Sequence, residues 1–339
     1  MIGTLALRPS YYQALKRLTL ELAGVNLGSD HTFLIETRLS ALARKEGYGD
    51  INEMIDELFS RGQTRLAVHV VSALLERATS FFDDREGFNV LGDKLLPALH
   101  PSYRGSVLKI LSFGCSSGQE VYSTAILADR LAHVFPDMPI EVTGVDYPSW
   151  ALERAKEGRF THFEVQRGLP IRHLIEYFDR DGEDWVVNKA LRSKVNFIDH
   201  NLLAGTDELG SFQIVMFRGR MKLYSPPAIV RVLRSLSGLL STHGYLMLGT
   251  NEDIGKINYG FNSAPVAPGC FIKLPKRQSQ MVANEDLSKS TNPYEKMLYE
   301  ASLEKKSLKD ITSAPGKVDK MPESQPKSPD EKDEGKPAA

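Results

Sequence analysis

Two cysteines in 339 residues, Cys115 and Cys270, are too few for a disulfide framework, and neither has the neighbours of a metal site. An excess of one charge is also missing. The 42 Lys and Arg stand against 43 Asp and Glu, a net charge of −1, so the basic footprint of a nucleic-acid-binding protein is absent. No apolar run approaches the roughly 18 residues a membrane helix needs. The first residues lack the basic stretch and apolar core of a secretory signal. No internal repeat is found. These absences lead us to expect a cytoplasmic protein with no metal, no nucleic-acid partner and no membrane insertion. What is present is a globular composition, 42% hydrophobic, in a chain long enough for two domains and a sizeable core.

Three regions differ in pattern. Over residues 1–75, apolar residues recur at helical spacing: Tyr12, Leu15, Leu18 and Leu22, then Phe33, Leu34, Leu39 and Leu42, then Ile51, Met54, Ile55 and Leu58. Gly24, Gly28, Gly47 and Gly49 punctuate them. The expectation is a small helical domain. Residues 76–275 alternate strand and helix patterns, with candidate strands at 108–113, 141–145, 195–198, 213–217 and 244–249. This predicts an α/β domain with a largely parallel, doubly wound sheet. The rhythm breaks between residues 174 and 197, where turn residues followed by Trp185-Val186-Val187 predict a hairpin. Residues 276–339 hold twelve Lys or Arg, twelve Asp or Glu, and only Tyr294 and Tyr299 as aromatics. Such a segment buries too little apolar surface to offset its ordering entropy, so a disordered tail is expected.

The stretch from Lys109 to Ser123 carries the first chemical signal. An apolar strand (Ile110, Leu111, Phe113) enters a loop with Gly114 and Gly118, and a helical pattern follows near Tyr122. Glycines let a backbone turn sharply and approach a ligand closely. The spacing is not G-x-G-x-x-G, and the Walker Lys-Ser/Thr pair is missing, so the dinucleotide and triphosphate readings are weak. Cys115 reads as a small residue in a tight turn. Asp146 ends a second strand pattern about thirty residues on. An acid there either accepts hydrogen bonds from ribose hydroxyls or caps the next helix, a role open also to Ser149.

Further blocks follow in order. They are T-S-F-F from Thr79, G-C-S-S-G-Q-E-V-Y-S from Gly114, G-V-D ending at Asp146, L-E-R-A-K-E-G-R-F from Leu152, E-V-Q-R-G-L-P from Glu164, H-N-L-L from His200, F-Q-I-V-M-F-R from Phe212, and H-G-Y-L-M-L-G-T-N-E from His243. Together they resemble the chemotaxis receptor methyltransferases, the CheR family, over about residues 8–274. The E-V-x-R-G-L-P block is the most specific of them. The resemblance implies a Rossmann-like class I methyltransferase domain (76–275) with a small antiparallel β insert (about 174–197), preceded by an all-α domain (1–75). It implies S-adenosylmethionine as cofactor, S-adenosylhomocysteine as product, and glutamates on the cytoplasmic helices of chemoreceptors, or of related signalling proteins, as acceptors. In such proteins the helical domain covers the cleft. Arg38, Arg44 and Lys45 then either meet an acidic helix or form a solvated face.

The resemblance also assigns residues. Thr79, Gly114, Gly118, Glu120 and Asp146 fall at cofactor-binding positions, with Asp146 on the ribose, and Asn201 and Leu202 flank the adenine. Arg218 is the arginine of the family's R-N-x-x-I-Y motif. Two catalytic positions are substituted. The family's N-x-T-x-F-F-R reads Arg77 to Asp83, so Asp83 replaces an arginine. At ~4 Å, like charges repel by about 4 kcal/mol at an effective dielectric of 20. An anionic acceptor then needs another cation, for which Arg77, Arg85 and Arg220 are all available. In the second motif Gly219 replaces asparagine and Leu223 replaces tyrosine, with Tyr224 one position late; a later P-G-G turn has become Thr242-His243-Gly244. Transfer from a sulfonium to a carboxylate is an in-line displacement that requires positioning and no general base. Two readings follow: an active methyltransferase with altered contacts, or a degenerate relative that binds cofactor or signalling partners without transfer. A third is an assembly factor whose tail recruits a partner.

Overall fold

A computed structural model of the chain describes residues 7–28, 32–62, 64–75, 79–147, 149–201, 203, 205–254 and 260–273. Arg77, Leu202 and the segment expected to be a tail lie outside the described residues.

Four helices come first. α1 (Pro9–Ala23) begins with a proline, whose missing amide is one of the orphan donors of a helix start. It stops at Gly24, which takes a left-handed φ of 70°. α2 (Thr32–Glu46) follows. α3 (Ile51–Arg61) is capped by Asp50, whose carboxylate accepts from the amides of Asn52 (2.7 Å) and Glu53 (3.0 Å). α4 (Thr64–Leu75) completes the set. Leu15, Leu39, Met54, Ile55 and Val70 form the centre of their shared core. One detail departs from the sequence reading. The buried stripe of α2 is Ile35, Leu39, Leu42 and Ala43, whereas Phe33 is 82% exposed. Two helical positions amount to about 200° of rotation, so Phe33 points away from the stripe that Ile35 starts.

A helical stretch then runs through α5 (Arg85–Val90), a single π turn and α6 (Leu96–Tyr103). From there strand and helix alternate: β1 (Leu108–Phe113), α7 (Gln119–Leu131), β2 (Ile140–Asp146) and α8 (Trp150–Glu157). The chain continues through β3 (Arg159–Thr161), α9 (His162–Gln166), α10 (Ile171–Tyr177), β4 (Phe178–Asp181) and β5 (Asp184–Val187). It then passes α11 (Lys189–Arg192), β6 (Val195–Asp199), β7 (Phe212–Met216) and α12 (Pro226–Leu239). β8 (Leu240–Met247), β9 (Phe261–Ser263) and β10 (Cys270–Lys273) finish the fold.

The main sheet has the order β6-β2-β1-β7-β8-β10-β9. Pairings from β6 through β8 are parallel, and β10 runs antiparallel to both neighbours. Successive residues of a strand face opposite sides. Leu111 and Phe113 of β1 and Val215 of β7 therefore pack under α12. Ile110, Ile214 and Met216 pack under the α5–α6 stretch. Burial on both faces explains why β1 and β7 read as near-continuous apolar runs. The mixed α/β fold with an N-terminal helical region is thus the one expected from the sequence.

The small sheet has the order β3-β5-β4, all antiparallel. Its β4–β5 hairpin turns at Gly182 (φ 64°), inside the range expected for the insert. Its third strand, β3, lies earlier in the chain. Three residues are too few to show a period of two, so the sequence concealed it. Among the described residues no helix is long and apolar enough to cross a membrane.

Candidate functional site

Strand order reverses direction at β1, which sits between β2 and β7. In open α/β sheets, ligands bind outside the carboxyl ends of the strands at such a reversal. The glycine loop occupies that place. The amides of Gly114 and Cys115 both donate to Val145 O, at 2.6 and 3.2 Å, which folds the loop back over β2. Asp146 braces it: one carboxylate oxygen accepts from the Ser116 amide and the other from the Tyr147 amide (2.7 Å). Ser149, not Asp146, caps α8, by accepting from the Leu152 amide at 3.1 Å. Gly118 (φ 89°) starts α7, and a Cβ there would lie 2.9 Å from that of Ala155, so the loop packs on α8 only with glycine.

A crevice of about 480 Å³ opens beside this loop, and Thr79, Asp83, Gly114, Glu120 and Arg218 all line it. Its centre is Arg218, 5% exposed. Its Nη1 donates to Glu120 Oε2 at 3.0 Å, and its Nη2 donates to the backbone oxygens of Asp83 (2.6 Å) and Asp84 (3.2 Å). The Asp84 carboxylate is 3.2 Å from Nη2, and the guanidinium lies 5.0 Å from the Phe88 ring centre. Glu120 is fixed from its other side by the Ser112 hydroxyl (2.6 Å). Arg218 Nε is buried without a hydrogen-bond partner.

Among the lining residues not singled out from the sequence, three form the polar contacts that shape the crevice. Asp84 caps α5, and its carboxylate accepts from the Thr250 amide (3.0 Å) and hydroxyl (2.6 Å). Burial pushes its pKa up, but the Thr250 bonds and the Arg218 guanidinium outweigh it, and the net shift is downward. Thr250 is the second, as Asp84's donor. Glu252 is the third: its carboxylate gathers the amides of Gly219 (2.6 Å), Met221 (2.9 Å) and Gly249 (3.0 Å), closing the loop after β7. The signal available in the sequence was an acid shortly after each of two strand- or helix-ending motifs, Phe81-Phe82 and Gly249-Thr250. Cys115 also lines the crevice, but burial above all, with Asp146 and Glu120 adding to it, pushes its thiol well above the usual range. It stays a protonated packing residue there.

Other expected residues lie outside this crevice. Asn201 donates to Leu22 O at the end of α1 (2.8 Å) and accepts from the Leu203 amide (3.1 Å). Leu223 is half-buried against a cluster of Ala23, Val25, Val71 and Tyr147, and its carbonyl accepts from the Asn26 amide at 2.9 Å. Tyr224 pairs with Val25 as an isolated bridge and stacks near Phe217, with ring centres 5.8 Å apart. Leu223 and Tyr224 thus belong to the seam between the first helices and the sheet. Gly118 and Asp146 lie behind the loop they shape.

Residues 77–269 match the family described as "CheR methyltransferase, SAM binding domain". The chain is 30% identical over 262 residues to the chemotaxis protein methyltransferase Cher2 of Pseudomonas putida, covering 76% of this chain and 95% of that one. It is 31% identical over 254 residues to chemotaxis protein methyltransferase 1 of Pseudomonas aeruginosa, covering 74% and 92%. The chemotaxis protein methyltransferase of Borreliella burgdorferi is 27% identical over 238 residues, covering 68% and 83%.

Proposed function

Because the chain belongs to the CheR methyltransferase family, we propose that it transfers the methyl group of S-adenosylmethionine to glutamate side chains of a chemoreceptor or a related signalling protein. The observation that carries this reading is the crevice at the strand-order reversal, built around Arg218 and walled by the glycine loop. S-adenosylmethionine supplies a methyl group already activated on a sulfonium. An ionised glutamate is itself the nucleophile, so the chain's task is to hold, align and exclude water.

The residues present suit the cofactor. The buried, unpartnered Arg218 Nε marks a polar site short of one contact. In this reading Thr79, Gly114 and Glu120 hold the amino-acid end, Asp146 the ribose, and Asn201 with Leu202 the adenine. Asp146 takes the ribose by exchanging its bond to the Ser116 amide. Arg218 fixes Glu120 and the Asp83–Asp84 backbone, so that cofactor and acceptor meet across a rigid wall. The acidic walls, Asp83, Asp84, Glu120 and Glu252, suit a sulfonium cation.

A second reading, cofactor binding without transfer, draws on Leu223. It replaces the family's tyrosine and lies in the seam with the helices, and among the described residues no tyrosine lines the crevice. Incubation with S-adenosylmethionine and a chemoreceptor signalling fragment, followed by mass spectrometry, separates the two. Methyl esters at glutamates, lost when those glutamates are replaced by alanine, are the expected result. An unmodified fragment alongside tight S-adenosylhomocysteine binding selects the second reading.

A further inference from the structure

Among the cations considered as replacements for the arginine missing at position 83, Arg220 lines the crevice and Arg85 does not. Arg220 lies flat against the glycine loop. A Cβ built on Gly114 would fall 2.4 Å from both its Cζ and its Nε, so the guanidinium uses space that only glycine leaves. Gly114 also has a φ of 77°, a conformation that side chains resist.

The charges around it are otherwise committed. Arg218 is matched by Glu120 and Asp84, and Glu252 is matched by three amides. The first amides of the loop are taken by Val145 and Asp146. Arg220 is half-buried, and no described carboxylate forms an ion pair with it, although Asp83 lines the same crevice. A half-buried guanidinium with five donors and no anion among the described residues is matched by a planar carboxylate, which it binds in a two-pronged fork.

We propose that Arg220 is the carboxylate anchor of this crevice, supplying from the loop after β7 the positive charge that Asp83 has removed from its lining. This rests on the methyltransferase reading. It adds a residue at a position where the family motif specifies no cation. Two carboxylates reach such a crevice, the one on the amino-acid end of the cofactor and the one on the acceptor glutamate. The chemistry Arg220 recognises is the same for both.

The test titrates the full chain, Arg220→Ala and Arg220→Lys with S-adenosylhomocysteine and with 5′-methylthioadenosine, which keeps the nucleoside and sulfur but lacks the amino-acid end. Steady-state methyl transfer to a receptor fragment is measured beside it. If the anchor serves the cofactor, Arg220→Ala weakens S-adenosylhomocysteine binding by about 10- to 100-fold, the size of one charge-assisted contact. Binding of 5′-methylthioadenosine is then unchanged, and Arg220→Lys recovers part of the loss. If it serves the acceptor, both affinities hold while KM for the fragment rises far more than kcat falls. Equal losses on both ligands, or no change in any measurement, overturn the assignment while leaving the parent reading intact. Wild-type protein that binds neither ligand overturns both.

Discussion

At the scale of single residues, Arg218 ties together parts of the chain up to 135 positions apart: the Asp83–Asp84 turn, Glu120 on α7 and its own strand end. Removing one partner of a buried charge network leaves the others uncompensated. Arg218→Ala is expected to cost about 3–5 kcal/mol in urea unfolding. Arg218→Lys should recover only part, because an ammonium cannot reproduce the planar fork. A cost below about 1 kcal/mol, the range of exposed pairs, would show that the network is not structural. His173 gives a prediction in pH. Burial first, then the charge of Arg130 at 3.1 Å from its Nε2, lowers its pKa below the ordinary 6.5. The unfolded chain therefore binds the proton more readily, and stability falls as pH drops below 6.5. His173→Gln should flatten the melting temperature in that window; an unchanged slope would reject this origin. Residues with a backbone requirement were the legible ones, since Gly114 and Gly118 sit where a Cβ would collide. Asp84 was not legible: its cap to α5 is local, but its bonds to Thr250 span 166 positions.

At the scale of elements, the runs of β1 and β7 were readable because both of their faces are buried. The short β3 and the exact face of α2 were not, because a three-residue strand carries no period and Phe33 imitates a core residue. The join between α1 and the sheet shows how much rests on one turn. Gly24 has a φ of 70°, its carbonyl accepts from the Ser225 amide (2.9 Å), and a Cβ there would lie 2.6 Å from that of Ala228. Backbone strain of this kind costs of order 1–3 kcal/mol per site. Gly24→Ala should therefore lower unfolding free energy by at least that much. Protease cleavage should also become faster near residues 24–28. A variant as stable and as resistant as the wild type would mean the seam repacks freely.

At the scale of the whole molecule, the first helices and the sheet share the cluster that holds Val25, Val71, Tyr147 and Leu223. The family, the largely parallel sheet and the cofactor class were legible because ordered motifs recur along the chain and strand and helix patterns alternate between them. The cation that lines the crevice was not, because Arg85 and Arg220 look alike until the fold places the second, and not the first, in it. The central claim is that this crevice is an S-adenosylmethionine site braced from behind by Asp146. Calorimetric titration with S-adenosylhomocysteine tests it most directly, using wild type and Asp146→Ala. The account predicts saturable binding at one site per chain, displaced by S-adenosylmethionine. It also predicts at least a tenfold loss in the variant, about the value of a hydrogen bond to a charged group. Absence of binding by a folded wild-type chain, or equal affinity in the two proteins, would contradict it.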